Sequence, residues 1–179
     1  MIEPLACNAN IRRGGVIMRK KLFVILGTQK FPFNRLMKAL DELIEKGIYK
    51  PEEVYIQSAY YDYVPKKAKY CNLLPPNEFI YLIKTASIVI THAGVNSILT
   101  CMQQNKHFLV IPRLKQYGEH VDNHQKEIAQ VMEEQFNVLV LKDISNLADY
   151  IQMASTHTYI PWKPNNQALL ASLVEFLDN

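Results

Sequence analysis

Two rhythms of apolar and polar positions alternate along this chain. Short continuous apolar runs recur at Leu22 to Leu26, Val54 to Ile56, Ile88 to Ile90, Phe108 to Pro112 and Val138 to Leu141. Runs this short, without polar interruption, are expected of strands covered on both faces. Between them apolar residues return at helical spacing. The first set is Phe33, Leu36, Met37, Leu40, Leu43 and Ile44, and the second is Phe79, Ile80, Leu82 and Ile83. Val95, Ile98, Leu99 and Met102 follow, then Val121, Ile128, Ala129 and Met132, then Ile144, Leu147, Ala148 and Ile151. Leu169, Leu170, Leu173, Val174 and Leu177 predict a C-terminal helix. Strand and helix taking turns in this way predict an α/β fold, a parallel sheet flanked by helices.

Punctuation residues fall where that reading needs them. Pro32 marks the entry to the first helix, Gly47 its stop, and Pro75 with Pro76 opens the second. From Ala59 to Leu74 no period dominates, and the segment reads as loop with one short strand near Tyr70 to Leu73. Its Tyr60, Tyr61, Tyr63 and Tyr70 have two readings: a partner-binding surface of rings with polar tips, or half-buried loop side chains.

The totals narrow the classes. A length of 179 residues, 49% hydrophobic and 21% charged, suits one domain with a sizeable core. Residues 1–17 read as a flexible extension upstream of a natural start at Met18, leaving 18–179 as the domain. Arg12, Arg13, Arg19, Lys20 and Lys21 are a solvated basic tail or a contact for anionic lipid. A net charge of +3, scattered rather than interleaved with aromatics, disfavours nucleic acid as a partner. Cys7, Cys71 and Cys101 are odd in number and share no CxxC spacing, so neither a disulfide framework nor a zinc site is expected and a reducing cytosol fits. No apolar run approaches the roughly 18 to 20 residues that cross a bilayer.

The most informative stretch is SIVITHAGVNSILTCMQQ, Ser87 to Gln104. A β-branched run, a polar turn with Gly94 and a helical pattern read as strand, turn and helix. Turn amides and the positive helix end then converge on one spot, which suits a phosphate or diphosphate. Ligands of open α/β sheets bind beyond the carboxyl ends of strands. Four such ends are polar here: Gly27-Thr28-Gln29, Gln57-Ser58, Thr91 to Ser97, and Pro112-Arg113 with the segment Glu119 to Gln125. They offer amides and hydroxyls for phosphates, a cation, and carboxamides and a carboxylate for sugar hydroxyls, which fits a nucleotide-sugar. Gln125, at the open end of a core-facing stripe, is expected to reach into the crevice.

Each piece also has a plain structural reading. His92 alone is equally a buried histidine with a satisfied hydrogen bond, Gly94 a packing glycine, and Glu119 with His120 a solvated loop face. Other chemistries lack their signals: GxGxxG, the phosphate-loop lysine motif, HExxH and GxSxG are all missing. No metal and no cofactor is expected, although His120 and His124 are four positions apart.

GTQKFPFNRLMKALDELI, ITHAGVNSILTCMQQNKHFLVIPR and YGEHVDNHQKEIA, in this order, resemble the C-terminal domain of glycosyltransferase family 28. The resemblance runs from about Lys20 to Ile151, and it is nearest the PssE-type subunit of two-part bacterial polysaccharide glycosyltransferases. It implies a Rossmann-like domain that is the single C-terminal, donor-binding half of a GT-B enzyme. The implied activity is inverting transfer of a hexose from a UDP-sugar to a lipid-diphosphate-linked saccharide in capsule or exopolysaccharide synthesis. A membrane-anchored, acceptor-binding PssD-type subunit would be the partner, holding this chain at the inner face of the cell membrane. A non-catalytic, nucleotide-sugar-binding subunit is the alternative.

Carried over by position, Thr28 lies near the diphosphate, and His92, Ala93, Gly94, Val95, Asn96 and Ser97 wrap the phosphates. Asn123, His124 and Gln125 face ribose or sugar, and Arg113, Glu119 and His120 line the same crevice; Gln57 joins the binding set from its strand end. His120 and Glu119 are the candidate general bases within this chain, and the partner is the other source of a base. Two departures stand out. Thr100 occupies the position where relatives carry a ribose-holding glutamate, and Asn105 must take the helix C-terminal position where glycine is usual.

Overall fold

The computed structural model describes residues 12–13, 16–17 and 20–162. Arg12–Arg13 (β1) and Val16–Ile17 (β2) pair antiparallel. The main sheet has five parallel strands in the order β5-β4-β3-β6-β7. They are Leu22–Ile25 (β3), Val54–Gln57 (β4), Lys69–Cys71 (β5), Ile88–Thr91 (β6) and Phe108–Val110 (β7). The helices are Asn34–Glu45 (α1), Pro76–Thr85 (α2), Val95–Gln103 (α3), His124–Phe136 (α4) and Leu147–Ala154 (α5). From β3 the chain winds outward through β4 and β5, then returns to β6 on the other side of β3. The reversal leaves a crevice between the carboxyl ends of β3 and β6.

Successive side chains of a strand point to opposite faces, so each central strand feeds two cores. Leu22, Val24, Ile56, Ile90 and Leu109 pack with Leu36, Met37 and Leu40 of α1 and Leu147 and Ile151 of α5. Phe23, Ile25, Tyr55, Val89 and Val110 pack with Leu82 and Ile83 of α2, Ile98 and Met102 of α3, and Ala129 and Met132 of α4. The expected parallel sheet flanked by helices is therefore present, with helices on both faces.

The differences from the sequence reading have local causes. Val138 to Leu141, expected as a strand, meets the sheet through an isolated bridge, Val110 to Val140, because it runs beside the three-residue edge strand β7. Val95 and Val121, counted in helical stripes, are 45% and 60% exposed. Val95 opens α3 on its solvent side, Cys101 takes a place on the core side instead, and Val121 precedes α4. Asn105 does adopt the left-handed conformation after α3, at φ 48°.

The tyrosine-rich connection is pinned by Asp41, a buried carboxylate on α1. It accepts from the amides of Lys66, Lys67 and Ala68 and from the Tyr63 hydroxyl, at 2.6–3.1 Å. Tyr61, Tyr63 and Tyr70 pack against the core, whereas Tyr60 is 40% exposed. The expected C-terminal helix lies outside the described residues.

Candidate functional site

Two adjoining hollows open at the carboxyl rim on either side of a shared wall formed by Gly27, Thr28, His92 and Gly94. The larger, of about 400 Å³, is bounded by Gln57 of β4, Phe79 of α2 and Val95, Asn96, Ser97 and Thr100 of α3. The smaller, of about 210 Å³, is bounded by Arg113 and by His120, His124, Gln125 and Ile128 from the loop and helix after β7.

The wall is built around one imidazole. His92 continues the β3–β6 pairing, its amide donating to the Ile25 carbonyl at 3.0 Å. Its ring lies against both glycines: a Cβ on Gly27 would fall 2.7 Å from Nε2, and a Cβ on Gly94 would collide with the same atom. Gly27 also has φ +86°, a conformation L side chains rarely adopt. Gly94 is needed for close approach rather than for a left-handed turn, its φ being −87°. Burial, reinforced by the positive charge of Arg113, pushes the His92 pKa down to about 4, so the ring is neutral at neutral pH. Its Nδ1 is buried with no hydrogen-bond partner.

α3 begins at Gly94 with no side-chain cap, so the amide-bearing first turn faces the larger hollow without a competing oxygen from the chain. Gln57 brings a buried Oε1 with no partner to the same hollow. Thr100 lies one turn along α3, its hydroxyl donating to the Asn96 carbonyl at 2.7 Å.

Arg113 is 1% exposed, and its guanidinium donates to the carbonyls of Leu26 and Glu119. Its carbon lies 5.5 Å from the Phe33 ring centroid. Burial pushes its pKa down to about 10 while Glu119 opposes the change; the group stays charged at neutral pH. Gln125 reaches inward as expected, its Oε1 accepting the Arg113 amide at 3.1 Å.

The remaining candidates divide. Ala93 is buried at the base of the smaller hollow, which His120 and His124 also line. Glu119 does not line either hollow. Its carboxylate accepts from Arg35 Nε at 2.8 Å and from the Leu114 amide at 3.0 Å, which fastens the loop instead of facing the crevice. Asn123 stands outside as well, in a separate depression with Leu114, Gln116 and Lys126. Phe79, Arg35 and Asp122 were not singled out from the sequence. Phe79 resembled any helix-face aromatic, and the partners of the other two become adjacent only on folding. Among the described residues no group of three or more His, Cys, Asp and Glu side chains is placed to hold a metal ion, and no helix is long and apolar enough to cross a membrane.

The fold has solved counterparts. It is similar to the NMR solution structure of ALG13, with a TM-score of 0.51 and 21% identity over 92% of this chain and 100% of that one. It is also similar to the spinosyn forosaminyltransferase SpnP, with a TM-score of 0.50 and 14% identity over 90% of this chain. This chain spans 44% of the length of SpnP. No curated protein matches the sequence. The family comparison is decisive, for residues 21–168 match the glycosyltransferase family 28 C-terminal domain, and the chain belongs to that family.

Proposed function

We propose that this chain is the donor-binding, catalytic subunit of an inverting glycosyltransferase of the PssE type. It moves a hexose from a UDP-sugar to a lipid-diphosphate-linked acceptor during surface polysaccharide synthesis. The observation that carries this reading is the pair of hollows sharing the His92 wall. The larger offers free helix-end amides, the unpartnered Gln57 oxygen and an aromatic edge to a nucleoside diphosphate. The smaller offers Gln125, His124 and the fixed charge of Arg113 to the sugar and its leaving phosphate.

In the reaction an acceptor hydroxyl attacks the anomeric carbon while nucleoside diphosphate departs. The amides of α3, the Thr28 hydroxyl and the Arg113 guanidinium stabilise the negative charge that develops on the leaving group. A neutral His92 packs beneath the phosphates without competing for them.

The crevice is open on one side, and a second, membrane-anchored PssD-type subunit supplies the opposite wall and the acceptor site at the cytoplasmic face of the membrane. Thr100 favours a second reading, a nucleotide-sugar-binding subunit without catalysis, because a hydroxyl already committed to the Asn96 carbonyl holds ribose less well than a carboxylate. Co-expression with the membrane subunit, followed by transfer from radiolabelled UDP-galactose, UDP-glucuronic acid and UDP-N-acetylglucosamine to lipid-diphosphate acceptors, separates the two. UDP titration of the chain alone should perturb Gly94 and Arg113; no binding there would refute both.

A further inference from the structure

Asp122 lies at the turn into α4 and serves two neighbours. Its Oδ1 accepts the His124 amide at 3.0 Å and stands 2.7 Å from Nδ1 of His120. The His124 amide holds the Asp122 carboxyl below the usual carboxylate range, so it is ionised at neutral pH. The His120 side chain is 9% exposed, and its ring packs on Phe31 with centroids 5.9 Å apart. It borders the same hollow as Arg113 and Gln125.

An ionised carboxylate has no proton to give, so the 2.7 Å contact requires N–H on Nδ1. The Asp122 amide also points at Nδ1, from 3.4 Å, and that contact would require the opposite tautomer. The shorter, charge-assisted bond prevails. In the neutral ring Nε2 then carries the lone pair and is the nitrogen left for the crevice. The other candidate base, Glu119, has its oxygens on Arg35 and Leu114, and the His124 ring turns to Glu127 at 3.3 Å.

We propose that Asp122 is a positioning residue that holds His120 in the Nδ1–H tautomer, with Nε2 facing the crevice as proton acceptor for the attacking hydroxyl. This rests on the nucleotide-sugar reading above. As the acceptor oxygen bonds to the anomeric carbon, its proton passes to Nε2. The anomeric carbon–oxygen bond to diphosphate breaks, and its electron pair leaves with the nucleoside diphosphate. The imidazolium so formed stays beside the Asp122 carboxylate until solvent takes the proton.

Long-range proton–nitrogen NMR correlations on the isotope-labelled full chain read the tautomer directly. The expected result is Nδ1–H at His120 in the wild type and a change towards Nε2–H in Asp122→Ser, whose hydroxyl still caps the His124 amide. Asp122→Ala, which removes every side-chain acceptor facing Nδ1, serves as a second variant and should move in the same direction. Nε2–H in the wild type, or no change in either folded variant, overturns the proposal. With the membrane subunit and the same UDP-sugars, Asp122→Ser should transfer about tenfold more slowly or worse while UDP affinity is kept. Undiminished transfer also overturns it. If the wild type neither binds UDP nor transfers sugar, the proposed function fails, and the ring tautomer alone decides whether the Asp122–His120 pair exists as described.

Discussion

Arg35 and Glu119, 84 positions apart, form an ion pair with Nε 2.8 Å from Oε1. Arg35 sits in the first turn of α1, and a second guanidinium nitrogen donates to the Pro112 carbonyl at 2.6 Å. The pair ties the helix after β3 to the loop after β7 and so holds two sides of the smaller hollow in register. Arg35→Ala leaves the Glu119 carboxylate, 2% exposed, without its cation. A loss of about 3 kcal/mol in urea-unfolding stability is expected. Arg35→Lys, which cannot reproduce both bonds, should recover only part of it.

Gly94→Ala tests the wall. The added methyl meets the His92 ring, which is confined by Gly27 on its other contact. The ring must move into one of the hollows, and UDP affinity measured by calorimetry should fall about tenfold or more with a smaller change in melting temperature. Unchanged affinity would mean that the wall is not part of the binding surface.

His92 sets a pH dependence whose sign follows from its lowered pKa. Between its ordinary value of 6.5 and about 4 the unfolded chain binds a proton that the folded ring does not. Stability from this group is complete above the upper value and is lost as pH falls through the window, by on the order of 3 kcal/mol in total. Chemical unfolding followed from about pH 7 to about pH 4 should show this loss, and His92→Gln should flatten it.

Thr100→Glu restores a carboxylate to the wall of the larger hollow and releases the bond to the Asn96 carbonyl. With ribose beside position 100, as the proposed function places it, UDP binding should tighten several-fold, and UMP should show the same gain. A gain seen with neither nucleotide would place ribose elsewhere.

The apolar runs made the strands legible because burial on both faces leaves no polar position to confuse the pattern. The position of His92 and Gly94 between a strand end and a helix start was legible from the pattern around them. Val121 was misassigned because apolar periodicity carries no mark of where α4 begins, and Asn123, at φ −102° and ψ 14°, breaks the helix there. Glu119 was expected in the crevice from its place in the strand-end loop and from the family resemblance; its neighbour Arg35 is fixed by the packing of α1, which no local pattern records. Asp41 was hidden for the reverse reason. It occupies an inward position on α1 and is used for the backbone of a distant loop, so it breaks the apolar stripe without showing what it binds.

The return of the chain from β5 to β6 divides ownership of the two hollows. One draws its outer boundary from β4, from the crossing helix α2 and from α3, the other chiefly from segments after β7, and they have only the His92 wall in common. Insertions or exchanges in the stretch from Leu114 to Ile128 therefore alter the smaller compartment without rebuilding the larger. If the larger compartment takes the nucleotide, as proposed, a lineage with this architecture can retain one carrier while diversifying the cargo attached to it.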